Sequence, residues 1–313
     1  MSVVPIEPSR YGHVTVMPEE AVGALRPAAG QLFLDVTCGG GGHAAALLEA
    51  CSEARVLAFD RDPGAVAATR ERLAEHRERV TAARVAFGEL RAWLGAHGVG
   101  HVDGVIADLG ISSLQLDDPE RGMSFHLEGP LDMRMDRESG CSALELIETL
   151  SQDELANLIF RFGEERRSRR VARCIKQALE SAKLSTTHDL RRAIIRAVGP
   201  RRVGGVDPAT RTFQALRIAV NGELRQLEML LEDLPHLVRP GGRVVLISFH
   251  SLEDRMVKRA LSKTDVWMRL SKKPLVPGEL ERARNPRARS AKLRAAERTE
   301  ALEPADQGHG VEP

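Results

Sequence analysis

Three aspartates and a run of glycines carry the chemistry legible in this chain. One apolar stretch ends in Asp35, glycines 39–42 and His43 follow, and a second apolar stretch ends in Asp60. Glycines between a strand and a helix let the backbone approach a ligand closely or take positive φ cheaply. A carboxylate ending the next strand can accept both hydroxyls of a ribose. The set suits a nucleoside-containing cofactor of the nicotinamide or the S-adenosylmethionine type. Read from Gly40, the nicotinamide fingerprint G-x-G-x-x-G is GGGHAA, with Ala45 as an allowed third residue, so it leaves both types open. No hydride-transfer acid stands out, and Asp35 has no clear role beside a pyrophosphate. It could instead receive a cofactor's ammonium, directly or through water.

Phe87 closes the third apolar stretch, where it could pack against an adenine, and Asp108 closes the fourth, near the reacting end of such a ligand. The glycines lead straight into His43, a candidate contact through its backbone or ring. The substrate side begins at DLGISSLQLD, 108–117, whose small polar groups include Ser112. RGMSF, 121–125, and GPLDMRMD, 129–136, come next. There Asp132, Arg134 and Asp136 alternate with methionines, so they share a face if the chain is extended. They read equally as a substrate contact or as a salt-bridged loop. His250 lies just past the last strong strand, on the edge where open sheets bind ligands. NPRARSAKLR, 285–294, sets Arg287 and Arg289 among four basic groups, to hold phosphates or to tie the chain back onto the sheet.

A parallel sheet would bring these residues together. Short apolar strands over 31–36, 55–59, 81–87 and 104–109, spaced by helical patterns such as 63–80, imply βαβ units. The stretch 110–140 has no clean period. Helices are predicted over 142–159, where Ser151 and Glu154 form a capping box, over 164–184, which is basic, and over 187–198. A loop over 199–207 leads to a long amphipathic helix over 210–234, with Phe213, Leu216, Val220, Leu224, Leu227 and Leu231 on one stripe. Pro240, Gly241 and Gly242 form a turn before a strand over 243–249, and a helix over 252–261 begins with Glu253 and Asp254. The expected organisation is a sheet domain over 1–110 and 209–300, a helical insertion over 111–208, and a disordered tail over 301–313.

The 313 residues, 42% hydrophobic, suffice for one large core or two modest ones. No apolar stretch of about 20 residues is present to span a membrane, and the first residues lack a signal-type apolar core. Four cysteines without CxxC spacing argue against a disulfide scaffold or a thiolate metal site. A cytoplasmic protein is expected. The net charge of +1 hides an asymmetry, because 13 Lys or Arg face 4 Asp or Glu between Arg161 and Arg202. Such a cluster suits nucleic acid, with a solvated arginine-rich surface as the plainer alternative. Arg166, Arg167, Arg169, Arg170 and Arg173 are the candidate phosphate contacts.

Eight segments in order resemble the bacterial RsmH family, formerly called MraW: DVTCGGGGH, AFDRD, DLGISSLQLD, RGMSF, GPLDMRMD, TFQALRIAVNGEL, ISFHSLEDR and NPRARSAKLR. Each is weak alone, but the ordered set, from about His13 to Arg294, is specific. Members are S-adenosylmethionine-dependent methyltransferases acting on N4 of a cytidine in the decoding region of 16S ribosomal RNA. The resemblance implies an α/β, class I (Rossmann-like) methyltransferase sheet domain with an inserted all-helical domain for RNA recognition. It implies that Gly41, Gly42 and His43 line the methionine side of S-adenosyl-L-methionine and that Asp60 holds the ribose. Phe87, Asp108 and Gln115 would complete the pocket, with the opening HVTVMPEEAV nearby. Leu114 stands where the family often has proline, which leaves the loop conformation open. The implied partner is 16S ribosomal RNA, within the small subunit or a late assembly form. No membrane and no metal are implied, and a homodimer is permitted.

In such a transfer the protein supplies position and electrostatics. Asp108 and the 110–113 backbone, with Ser112, would orient the weakly nucleophilic amine, and Asp108, His250 or water would take its proton. The motif S/D-P-P-Y/F of DNA amino-methyltransferases is here Asp108, Leu109, Gly110, Ile111, which keeps the carboxylate and loses the stacking aromatic. Phe125 or Phe162 could supply that surface, or simply pack in a core. Other classes stay open at this point: transfer to DNA or a metabolite, a non-enzymatic assembly factor, and a nicotinamide dehydrogenase.

Overall fold

The computed structural model describes residues 14–200 and 206–300. The opening through His13, the basic pair Arg201 and Arg202, and the tail over 301–313 lie outside the described residues. Seven strands form one sheet: β1 (Leu32–Asp35), β2 (Arg55–Asp60), β3 (Val80–Arg84), β4 (Val102–Asp108), β5 (Val238–Ser248), β6 (Trp267–Arg269) and β7 (Lys292–Arg298). Their order is β3-β2-β1-β4-β5-β7-β6. Neighbours among β1 to β5 are parallel, and β7 runs antiparallel between β5 and β6. The chain steps outward from β1 to β3 and then returns to set β4 on the other side of β1. That reversal opens a crevice at the strands' carboxyl ends. This is the expected class I methyltransferase architecture.

The helices of the sheet region are α1 (Pro18–Leu25), α2 (Gly42–Ala50), α3 (Pro63–Arg72), α4 (Leu90–Ala96) and α5 (Ser113–Asp117). A helical group follows, α6 (Ala143–Thr149), α7 (Gln152–Gly163), α8 (Ser168–Glu180), α9 (Thr187–Val198) and α10 (Thr210–Asn221). Then come α11 (Glu223–Leu237), α12 (Ser251–Ala260) and α13 (Glu279–Arg284). Successive strand side chains point to opposite faces, and both faces are covered. Leu34, Phe59, Val105 and Leu246 meet Leu90 and Leu94 of α4 and Leu227, Leu230 and Leu234 of α11. Phe33, Val56, Ile106 and Ile247 meet Leu25 of α1 and Leu47 and Leu48 of α2. The helical group has its own apolar cluster, including Met133, Leu155, Ile159, Val171, Ile175 and Ile194, which extends past residue 208 through Ala209, Phe213 and Leu216.

Several expected elements are shorter or divided. The helix over 210–234 is two helices, because Gly222 takes φ 59° and turns the chain between α10 and α11. The apolar stripe continues across the break, but Leu216 enters the helical cluster while Leu227 enters the sheet's core. Periodicity cannot tell one core from two. The region 142–159 likewise divides at extended Leu150, and the basic helix starts only at Ser168 because Glu164 ends α7 in the left-handed region. The helix over 63–80 stops at Arg72, and β3 ends three residues before Phe87. Residues 239–242 bulge from β5 opposite Asp103, where the turn was expected. Strand β7 was not foreseen; NPRARSAKLR does tie the chain to the sheet, through Lys292, Leu293 and Arg294. Among the described residues no helix is long and apolar enough to cross a membrane.

Asn221 joins the two parts. Its Nδ2 donates to Met133 O at 2.7 Å and to Arg217 O at 2.9 Å, and its Oδ1 accepts from Met135 N at 2.8 Å. Arg61 Nη1 donates to Asn221 O at 2.8 Å, from just beyond β2. Asn221→Ala strands buried backbone groups of Met133 and Met135 and should cost roughly 2–4 kcal/mol. Denaturant titration should read a lowered midpoint with an unchanged slope; an unshifted midpoint would show that other contacts hold this loop.

Candidate active site

β1, β2 and β4 end at Asp35, Asp60 and Asp108, and the glycine loop crosses the ends of these adjacent strands. Cys38 N donates to Phe59 O at 2.8 Å, and Gly39 N donates to Asp60 Oδ2 at 3.0 Å. Asp60 Oδ1 accepts from Asp62 N at 3.0 Å. Thr37 Oγ1 accepts from Asp108 N at 2.6 Å, and Thr69 Oγ1 donates to Gly39 O at 3.1 Å. Gly39 and Gly41 take φ 50° and 74°, the region that favours glycine. Gly42 is needed for a different reason: a Cβ there would lie 1.9 Å from Thr15 Oγ1.

Residues lining the cleft above this loop include Gly39, Gly42, His43, Asp60, Phe87, Asp108, Ser112 and Gln115, all within the segments singled out from sequence. Their polar ends are partly committed. His43 Nε2 donates to Val16 O at 2.9 Å, and its Nδ1 lies 4.0 Å from Asp108 Oδ2. Ser112 caps α5, with its Oγ accepting from Gln115 N at 3.3 Å. Gln115 Nε2 donates to buried Asp62 at 2.8 Å, and Asp62 also pairs with Arg121 at 2.9 Å. Asp108 Oδ1 is buried and has no hydrogen-bond partner.

Burial pushes the Asp35 carboxyl up to about 7 and the Asp60 carboxyl up to about 6, against the amides that each accepts. Asp108 is raised well above the ordinary carboxylate range by burial and then by Asp35, Glu253 and Glu281. Three adjacent strand ends thus carry acids that resist ionising, at or beneath a cleft that would be stabilised by a cation.

Other expected residues lie elsewhere. Asp35 is buried beneath the loop and does not line the cleft, and Gly41 faces Thr69. His250 is also outside the lining. Its Nδ1 accepts from Glu253 N at 3.4 Å to cap α12, and its Nε2 sits 3.2 Å from Glu253 Oε1. Asp132 and Arg134 form a closed clasp, Nε to Oδ1 at 2.7 Å and Nη2 to Oδ2 at 2.9 Å, with Arg137 at 3.5 Å. Their i, i+2 spacing lets the two side chains satisfy each other, so they hold the loop. Asp136 pairs with Arg84 at 2.5 Å, tying this loop to β3. Arg287 lines the cleft, paired with Asp117, while Arg289 is exposed outside it. Arg166, Arg167, Arg169, Arg170 and Arg173 are exposed at and along the start of α8. Arg169 meets Asp153 at 3.3 Å and Arg167 donates to Val198 O at 3.1 Å. Phe125 packs edge-on to Phe213 at 5.2 Å, Arg161 lies 5.2 Å over Phe162, and neither phenylalanine reaches the cleft.

The structure adds residues that the sequence reading missed. Thr15, Glu223, Phe249 and Glu253 all line the cleft. Glu253 is 3% exposed. Burial raises its carboxyl, but His250, the Phe249 amide and Arg217 outweigh that and hold it below the ordinary range. Its signal was the ISFHSLEDR segment, where Glu253 read as an ordinary first-turn acid. Glu223, His250 and Glu253 bring ligand-type atoms within 4.8 Å of one another. Those donors are largely engaged, since Glu223 holds Arg217 at 2.7 and 2.9 Å and Glu253 accepts from Phe249 N at 3.0 Å.

A family model described as the MraW methylase family matches residues 10–299. The chain belongs to this family. It is 60% identical over 294 residues to the ribosomal RNA small subunit methyltransferase H of Sorangium cellulosum, covering 94% of this chain and 93% of that one. The corresponding protein of Synechococcus elongatus is 48% identical, covering 93% and 96%. Among solved structures, an rRNA methylase from Streptococcus thermophilus aligns over 95% of this chain and all of its own, at 11% identity and a TM-score of 0.42. As a MraW methylase, the protein is an S-adenosylmethionine-dependent methyltransferase. The cleft fits that cofactor: a glycine-backed strand end, the Asp60 carboxyl, the Phe87 ring, and an orphaned buried oxygen on Asp108 beside which a cation is favoured.

The buried acids also set a pH dependence. With Asp35 at about 7 and Asp60 at about 6, both above the ordinary 3.8, the native state holds more protons than the unfolded chain. Their stabilising contribution is complete below about pH 4 and is lost as pH rises toward 7. Asp35→Asn, neutral at every pH, should melt several degrees above the cofactor-free wild type at pH 8. The difference should narrow as pH falls toward 4. A gap of constant size across a pH series of melting curves would contradict the raised Asp35.

Proposed function

We propose that this MraW methylase transfers the methyl of S-adenosylmethionine to the exocyclic N4 of a decoding-region cytidine in 16S ribosomal RNA. The observation that carries the reading is near-complete coverage, at 60% identity, of a relative named a ribosomal RNA small subunit methyltransferase. The exposed arginines of the helical group support an RNA partner, because Arg166, Arg170 and Arg173 make no ion pair among the described residues. The helical region from 111 to 208 serves as the RNA-recognising part, and the substrate is the small subunit or a late assembly form of it.

When bound, the cofactor supplies a methyl already activated on a sulfonium, so the protein contributes position and electrostatics. In this assignment Asp60 accepts the ribose hydroxyls with lone pairs not used by Gly39 and Asp62. Phe87 packs on the adenine, and the backbone at Gly39 and Gly42 admits the methionine side. His43, held by Val16, keeps its ring against Asp108. Asp35 acts from beneath, through Thr37 N at 3.1 Å, as a positioning residue for the loop. Asp108 accepts a hydrogen bond from the cytosine amine and orients its lone pair. Ser112 and its loop bound the base, and Phe249 is the lining aromatic on which that base stacks. The amine would give up its proton to Asp108, whose carboxylate form an adjoining cation favours over the neutral acid that burial otherwise sets, while His250 acts indirectly by holding Glu253 ionised at the cleft wall.

The test is transfer of a labelled methyl to unmethylated small subunits, naked 16S RNA and DNA, with mass spectrometry of the nucleosides. N4-methylcytidine from the small subunit or its RNA is expected; label appearing only in DNA or on another atom would overturn the assignment. Asp108→Ala should lower turnover by at least about 100-fold, the usual scale for a positioned acid–base group, and should melt no lower than the wild type. Full turnover by that variant would remove Asp108 from the reaction.

A further inference from the structure

Phe160 is out of place by packing logic. α7 buries Leu155, Ala156, Ile159 and Gly163, yet Phe160, next to Ile159, is 60% exposed. It opens onto a groove shared with Arg161, Arg166, Arg211, Leu252 and Arg255, where the only acid among the described residues is Glu164. Glu164 is spent internally: its oxygens accept from Ser251 Oγ at 2.6 Å and Arg255 Nη2 at 3.2 Å, and its carbonyl accepts from Arg211 Nη1 at 3.3 Å. Four guanidiniums therefore surround one bare aromatic ring with a single neutralising charge. Scattered exposed apolar residues need no explanation. An exposed ring set among arginines is different, because it combines a π-face for a base with donors for phosphate.

The groove is also in the right place. It spans the end of α7 and α12, and α12 presents Glu253 to the catalytic cleft while Leu252 and Arg255 face the groove. The two sites lie on two sides of one helix that starts at Ser251.

We propose that this groove is a second RNA site, in which Phe160 stacks a base flanking the methylated cytidine and Arg161, Arg166 and Arg211 hold the adjoining phosphates. The inference rests on the RNA-substrate reading above and extends it to a named flanking subsite. Arg255 and Glu164 brace the groove across the two parts of the molecule. Stacking tolerates any base, so the subsite adds affinity and register, while identity is read in the catalytic cleft.

The experiment compares full-length wild type, Phe160→Ala, Phe160→Tyr and the double variant Arg161→Gln/Arg166→Gln on unmethylated small ribosomal subunits at several salt concentrations. Cofactor affinity and thermal midpoint are measured alongside. Phe160→Ala should raise KM for the subunits about 10-fold or more, with cofactor affinity and midpoint at wild-type values, and Phe160→Tyr should restore KM. The double variant should flatten the slope of log affinity against log salt by about 0.7 per lost contact. A Phe160→Ala KM equal to wild type, or an undiminished salt slope in the double variant, would overturn the subsite and leave the RNA reading standing. That includes the case in which an acidic protein, and not RNA, occupies the groove. Wild type that neither binds nor methylates subunits or their RNA would overturn both.

Discussion

The hydrogen bond from Gly39 N to Asp60 Oδ2 fixes the glycine loop across the ends of adjacent strands, and much of the site follows from it. Cys38 bonding to Phe59 and Thr37 bonding to the Asp108 amide complete the lashing. A loop so held must sit where Asp35, Asp60 and Asp108 crowd together, since all end neighbouring parallel strands. Burying such acids disfavours their charged forms, which is why all three are raised. The same crowding discriminates between ligands. A sulfonium would relieve it, and a pyrophosphate would add negative charge to it. The choice between two nucleoside cofactors, open at the glycine fingerprint, is thus made by carboxyl groups around it.

The helical part is joined to this site by polar links. Asn221 holds the loop around Met133 and Met135, and Arg61, just after β2, caps the same residue's carbonyl. Arg84 at the end of β3 pairs with Asp136, and Arg121 reaches Asp62, which also holds Gln115. Met135 lines the cleft itself. The loop between sheet and helices is therefore structural on its outer side, where Asp132 and Arg134 close on each other, and part of the cleft on its inner side. The exposed arginines of the helical part are thereby held in register with the strand ends.

The electrostatics on the two sides of α12 differ in kind. Toward the cleft, Glu253 is buried and held ionised by His250, the Phe249 amide and Arg217. Toward the groove, guanidiniums dominate and Glu164 is consumed by Ser251 and Arg255. One short helix can serve both because residues three or four apart share a face and residues one or two apart do not.

The sequence by itself determined the class of fold, the strand-end aspartates and the glycine loop. Apolar runs punctuated by glycines and carboxylates are local patterns, and a parallel sheet brings strand ends to one edge by its topology alone. The polar heart of the cleft's lining was therefore legible, through His43, Asp60, Asp108, Ser112 and Gln115, together with Phe87. Tertiary structure decided what depends on a side chain's partner. Asp132 and Arg134 looked able to face a substrate, and each proved to be the other's counter-ion. His250 looked catalytic from its place in the chain, but it caps a helix and turns toward Glu253. The apolar stripe over 210–234 looked like one helix, and Gly222 divides it between two cores. Glu253 and Phe249 sat in a segment that stood out, but neither they nor Phe160 showed in sequence which way they face, because burial and exposure come from elements distant in sequence, and only the assembled chain sets them.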